Sequence, residues 1–348
     1  MTKRDPARSL PSQPDDANPG PSPQAAWHGQ AQLHFERSAT GTRFLGRTSA
    51  PLKVQRGFLR ADGRCELPLL HTAGGLVGGD RLSVEVSLAA GSRALITSVA
   101  AQKVYGSIGR SRRAPQGDWA IQELDFELAE AADLEWLPQE LVLYADGLFE
   151  QRARVTLAAS ASWLGAEVVR LGRSAAGESL ADGRWRSLLE IRRLPGDKAI
   201  PNQGWSPVSQ APGCSCDTGG PLPDGDTSTW VLVDRIELGQ DSLHGEHGMA
   251  GQPVFGSLVW AAPADLPADR LSALLEHCRQ DRQGLEGEMA CGALEPGLVA
   301  RYRGPSTTAA RSWFSRIWCR IRAARGLAAP ELPRVWPFQE EPLVPSQH

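Results

Sequence analysis

This chain of 348 residues lacks most of the marks of a catalyst, a nucleic-acid binder or a membrane protein. No apolar run approaches the roughly 20 residues of a bilayer span. The opening residues, Met1-Thr-Lys-Arg-Asp-Pro6, have no apolar core of the kind a secretory signal needs. A cytoplasmic protein is the expectation. Net charge is only −3, so no global basic field recruits nucleic acid. The hydrolase signatures G-x-S-x-G and H-E-x-x-H are absent, and the seven histidines form no cluster with metal-ligand spacing. These absences point away from an enzyme. The six cysteines, at 65, 214, 216, 278, 291 and 319, form no paired C-x-x-C sites, and in a reducing compartment they are expected as free thiols. Cys278 and Cys319 fall on apolar helical faces, where Cys acts as a small hydrophobe.

What the chain does have is the stretch His71-Thr-Ala-Gly74-Gly75-Leu-Val-Gly78-Gly79-Asp80. Leu67, Leu69 and Leu70 precede it; Val84, Val86 and Leu88 alternate after it. A glycine loop therefore lies between two strands and sets Asp80 at the mouth of the second. Phosphate binding is excluded on charge, because Asp80 stands where a P-loop carries Lys and then Ser or Thr. The spacing is also wrong for a dinucleotide loop, and no helix follows. Two readings remain: a turn closed by a capping carboxylate, or an aspartate lining a path for a cation.

Strand patterns run from about residue 40 to 195. Candidates are 52–60, 82–89, 93–99, 119–128, 132–137, 140–144, 152–158, 163–171 and 184–193, with Leu33 and Phe35 marking the first strand. Turn signals such as Asp62-Gly63, Asp146-Gly147 and Asp182-Gly183 punctuate them. The fold class is mainly β, an irregular layered or solenoid-like body without strict repeat length, followed by two C-terminal α-helices. His34, between Leu33 and Phe35, faces solvent or a strand neighbour. Residues 1–25, rich in Pro, Asp, Ser and Gln, read as a disordered tail. Residues 26–340 read as one domain and 341–348 as a flexible end.

Residues 195–229 are dense in Pro and Gly and read as an exposed insertion in a β-hairpin. They hold Cys214-Ser-Cys216, two thiolates that do not close a tetrahedral metal shell. His244-Gly-Glu-His247 falls in a loop whose glycines argue against a helix presenting both rings to one metal. The sequence leaves open whether either pair binds metal.

Two carboxylates sit where apolar residues are expected. In Trp230-Val-Leu-Val-Asp234-Arg-Ile-Glu-Leu238, Asp234 shares the inward phase of Trp230, Leu232, Ile236 and Leu238. Glu167 lies within the apolar run 163–171. An inward carboxylate needs a partner or water. The simplest partner is an arginine, for instance Arg170, Arg173 or Arg235.

The C-terminal part changes period. Leu271, Leu274, Leu275 and Cys278 share one helical face within 266–282. Ala310, Trp313, Phe314, Ile317, Trp318 and Ile321 form a second stripe within 306–325. Ser306 or Thr307 can cap this helix, and Gly326 ends it. The stripe suits packing on the β body; Trp313, Phe314, Ile317 and Trp318 are also candidates for a partner-docking face. Between the helices, residues 298–302 read as a closing strand.

Taken in order, several segments resemble the urease accessory protein family UreD, called UreH in some organisms. They are the glycine loop, Leu134-Glu-Trp-Leu-Pro-Gln-Glu140, Trp163-Leu-Gly-Ala-Glu167 through Arg173-x-x-x-Gly177-Glu178, Asp234-Arg235 and Pro253-Val-Phe-Gly-Ser-Leu258. The resemblance covers residues 27–336. It implies a non-enzymatic scaffold for urease maturation that docks apo-urease and UreF, and through UreF the GTPase UreG. It implies no tightly bound cofactor. Nickel would pass in transit along an internal route of weak oxygen ligands. Asp80, Glu167 and Asp234 are the residues placed on that route, with Gly74, Gly75, Gly78 and Gly79 leaving room beside Asp80. Nucleic acid and membrane are not expected partners.

Overall fold

The computed structural model describes residues 26–196, 200, 228–264 and 266–336. The N-terminal tail, Cys214 and Cys216, most of the insertion and residues after 336 lie outside the described residues.

The chain winds in parallel coils. Each coil lays one strand in a first sheet, turns, and lays the next in a second sheet. The first sheet takes β1 (His28–Ser38), β2 (Gly41–Thr48), β6 (Arg81–Leu88), β9 (Ala120–Leu128), β12 (Leu148–Leu157), β14 (Arg184–Arg193) and β15 (Thr229–Leu238). Its order is β15-β14-β12-β9-β6-β1-β2. The second takes β3 (Leu52–Val54), β4 (Phe58–Leu59), β5 (Cys65–His71), β7 (Arg93–Ser98), β8 (Gln102–Val104), β10 (Asp133–Trp136), β11 (Leu141–Leu143), β13 (Ser162–Leu171), β16 (Val254–Ala261), β17 (Glu288–Leu294) and β18 (Gly297–Gly304). Its main order is β17-β18-β16-β13-β10-β7-β5-β3. Neighbours within the coils pair in parallel, as β6–β9, β9–β12, β7–β10 and β10–β13 do. The closing strands β15, β16, β17 and β18 pair antiparallel. The solenoid-like reading is the one the structure takes, and β14–β15 is the hairpin into which residues 195–229 are inserted.

Parallel register stacks equivalent side chains into ladders. Val86, Phe126, Val155 and Ile191 form one inward rung, and Leu88, Leu128 and Leu157 begin the next. These residues are 0–2% exposed, so the space between the sheets is a continuous apolar core. Burying each such side chain contributes about 1.5–3 kcal/mol.

A second core lies on the far face of the second sheet. There α2 (Ala268–Gln280) and α3 (Thr307–Ala324) cover Leu164, Val168, Leu258 and Trp260, after the single-turn α1 (Asp241–His244). Helix α3 begins at Ser306, whose hydroxyl accepts from the Ala309 N–H at 3.1 Å, and stops at Gly326 with φ +68°. Trp313, Phe314, Ile317 and Trp318 are 0–4% exposed and packed against this sheet. The stripe is thus an internal packing face. A sheet with both faces apolar needs a second cover, and the helix supplies it, so these four side chains are not available as an exposed docking surface.

Candidate functional site

The glycine loop connects β5 to β6, as the sequence suggests. Asp80 is 8% exposed, and both carboxylate oxygens accept backbone N–H groups: Oδ1 from Trp27 at 3.0 Å and Oδ2 from Val77 at 2.9 Å. It closes its own loop and ties the first strand to it. The glycines answer to the next coil. A Cβ on Gly75 would stand 2.5 Å from the Tyr105 ring; one on Gly78 would stand 2.2 Å from Ser107 Oγ and 2.6 Å from the Asp118 carbonyl. The coil beneath fills the space at Gly75 and Gly78, whereas a Cβ on Gly74 would meet nothing within 4 Å.

A cavity of about 380 Å³ lies beside this loop. Its lining includes His71, Gly74, Gln102, Gln122, Trp136 and Gln139. His71 Nε2 and Gln139 Oε1 are buried there and make no hydrogen bond among the described residues. Burial holds the His71 ring below its ordinary pKa, partly countered by the Asp80 charge, so the ring is neutral near pH 7.

From Gln122 a polar rung crosses the otherwise apolar core. Gln122, Gln151 and Ser187 are register partners on β9, β12 and β14. Facing them from the second sheet are Glu167, Ser257 and Arg301, register partners on β13, β16 and β18. Gln151 Nε2 donates to Glu167 Oε1 at 2.7 Å, and Ser187 Oγ to Oε2 at 3.2 Å. Enclosure pushes the Glu167 carboxyl up to about 7. The Ser187 bond and the Arg301 charge pull it down, and Asp234 raises it further. Asp234, paired with Leu189 in register, reaches into the same space and is held by Arg301, which also donates to Ser257.

The structure therefore brings Glu167 and Asp234 together, while Asp80 stays in the glycine loop, bonded to Trp27 and Val77. Arg301 is the arginine that pairs with Asp234. Of the partners suggested by the sequence, Arg173 pairs with Glu178, Arg235 with Glu190, and Arg170 donates to Ser174. Arg301 lies 67 residues from Asp234 and carried no local signal. Gln122 and Gln151 were also missed, although each stands at an inward position of an alternating strand. His34 is 5% exposed and bonds Ser87, its register partner, so the strand-neighbour reading holds and the solvent one does not. His244 ends α1, and both it and His247 are exposed. Among the described residues no group of three or more His, Cys, Asp or Glu is placed to hold a metal ion.

Fold and site together define a class: a coiled two-sheet β scaffold, braced by two helices, whose chemistry is concentrated in a polar rung inside the sandwich. Comparison with known proteins then fixes the family. The family model described as UreD urease accessory protein matches residues 28–337. A protein named urease accessory protein UreD in Synechococcus sp. (strain WH7805) is 55% identical over 325 residues, covering 92% of this chain and 94% of that one. The namesake in Synechococcus sp. (strain CC9605) is 55% identical over 317 residues, with 91% and 93% coverage. That in Prochlorococcus marinus (strain MIT 9303) is 53% identical over 322 residues, with 90% and 98% coverage. The chain belongs to the UreD family of urease accessory proteins. Its role is an accessory one in urease maturation, not that of an enzyme. Among the described residues no helix is long and apolar enough to cross a membrane.

Proposed function

We propose that this protein is the cytoplasmic scaffold on which apo-urease meets UreF and, through it, the GTPase UreG, and that nickel passes through its interior toward urease. The carrying observation is the polar rung Gln122–Gln151–Ser187 facing Glu167 and Asp234, which starts at the cavity beside the glycine loop. Amide, hydroxyl and carboxylate oxygens are weak, hard ligands. They hold a partly hydrated divalent ion briefly without enclosing it in a full shell. Glu167 suits such traffic: with a pKa raised to about 7 it takes up a cation by losing a proton and releases it by regaining one. Arg301 holds Asp234, so an ion advancing past Glu167 must displace that guanidinium.

Asp80 fits this route least well, since both its oxygens are already satisfied by backbone N–H groups. Together with the Asp234–Arg301 pair, this favours a second reading, a β-rich interaction module that assembles the complex and carries no metal. The readings separate on co-expression with the urease subunits and the other accessory proteins. Substitutions at Asp80, Glu167 and Asp234 lower nickel per urease site while the complex still assembles if the interior conducts. They leave it unchanged if the protein only assembles.

A further inference from the structure

The cavity beside the glycine loop holds polar groups that nickel passage does not use. Its floor is apolar: Leu69, Leu82, Val84 and Trp136 are 2–9% exposed. Gly74, Ala100 and Lys103, all exposed, mark its mouth. Two hydroxyls in the lining are already bonded. That of Thr97 donates to the Leu137 carbonyl at 2.7 Å and accepts from Trp336 Nε1 at 2.7 Å. That of Ser98 accepts from the Gln139 N–H at 2.8 Å and donates to the Ala100 carbonyl at 3.2 Å. Two buried atoms are not bonded: His71 Nε2 and Gln139 Oε1 have no partner among the described residues. Gln139 is 5% exposed, and its Nε2 donates to the Val335 carbonyl at 3.3 Å, so the unpaired oxygen is an acceptor only. His71 offers the opposite. The Gln102 amide nitrogen, 3.4 Å from His71 Nδ1, can only donate, so Nδ1 accepts and the neutral ring carries its proton on Nε2.

We propose that this cavity binds a small apolar amide, whose carbonyl oxygen accepts from His71 Nε2–H and whose N–H donates to Gln139 Oε1. One unpaired donor and one unpaired acceptor over an apolar floor are the complement of an amide group carried on an apolar body. A volume of about 380 Å³ falls in the range of small-molecule sites. Other occupants fit less well. A buried water needs roughly two to four polar partners, and the floor of Leu69, Leu82, Val84 and Trp136 offers few. A purely apolar ligand leaves both polar atoms unpaired. An anion meets the Gln139 oxygen, and a metal cation finds His71 Nε2 occupied by its proton. The site does not depend on nickel passage.

The test titrates the folded full-length chain with N-methylbutyramide and with methyl butyrate, an ester of matching size that lacks the N–H, and follows binding by saturation-transfer NMR. Crystals soaked in the amide locate it. The expected result is saturable binding of the amide in the cavity, with the ester weaker by about tenfold or more because Gln139 Oε1 stays unpaired. Q139L, shown by circular dichroism to be folded, abolishes that preference. H71L weakens both probes, whose carbonyl oxygens alike accept from His71. The proposal is overturned if neither probe binds, if the two bind alike, if Q139L keeps the preference, or if soaked crystals show only ordered water at His71 and Gln139.

Discussion

Glu167 is the residue on which the proposed nickel route turns. Its ordinary value is 4.5 and its folded value about 7. Between these values the unfolded chain has lost the proton and the folded one keeps it. The unfolded state then binds fewer protons, so stability falls as pH rises from about 4.5 to 7 and levels off above. E167Q, which keeps the shape without the charge, should abolish that fall and be at least as stable as the parent at pH 8. Urea titrations at several pH values check this; a parent whose stability is flat or rising across the same window contradicts it.

The glycine loop gives a second prediction at this scale. A Cβ on Gly78 meets Ser107 and the Asp118 carbonyl, whereas one on Gly74 meets nothing within 4 Å but inherits a φ of +79°. G78A should cost about 1–3 kcal/mol by overpacking and G74A about 1–2 kcal/mol by backbone strain alone. Denaturant unfolding of the two variants, with a crystal structure of G78A, would show displacement of the Ser107 turn only in the former. The inward phase of Asp234 was legible from alternation alone. Its partner was not, because nothing local links residue 234 to residue 301.

Helix α3 was the most legible element: spacing, cap and stop all agree with the structure. What the sequence left open was which surface the stripe covers. The answer lies in long-range polar anchors. Glu135, 2% exposed, accepts from Trp318 Nε1 at 2.8 Å and Arg322 Nη1 at 2.9 Å, and it also pairs with Arg64. Arg322 reaches Asp62 as well, and Arg325 reaches Asp133. E135A removes the anion that Arg64 and Arg322 share, leaving both buried guanidinium groups with Asp62 alone, and should cost about 3–5 kcal/mol. W318A opens a cavity under the helix, with a similar cost of about 3–5 kcal/mol. Chemical denaturation of both variants checks these values; a loss under 1 kcal/mol in either would mean the helix is held elsewhere. Strand positions were also legible: residues 184–193 were read as a strand and β14 spans the same residues. Pairing direction was not, because alternation of period two is the same in parallel and antiparallel sheets. The short strand β17 carries too weak a pattern to be seen before its partner β18 is placed.

For the molecule as a whole, winding converts weak local signals into one internal feature. Gln122, Gln151 and Ser187 are single polar residues on separate strands, and each alone reads as a tolerated exception. Parallel register sets them in a row, and the opposite sheet answers with Glu167, Ser257 and Arg301. Family membership was legible from the glycine loop and the segment 134–140, and the comparisons agree with it. The cavity was not legible, because its walls come from six separate stretches between Leu52 and Gln139.

The most direct measurement is nickel per urease active site after co-expression with this protein carrying E167Q, in complexes shown by size-exclusion chromatography to contain every partner. The conducting interior predicts a loss of severalfold or more with the complex intact, partly restored by E167D. Unchanged nickel loading by E167Q in an intact complex would contradict it and leave the protein as a scaffold alone.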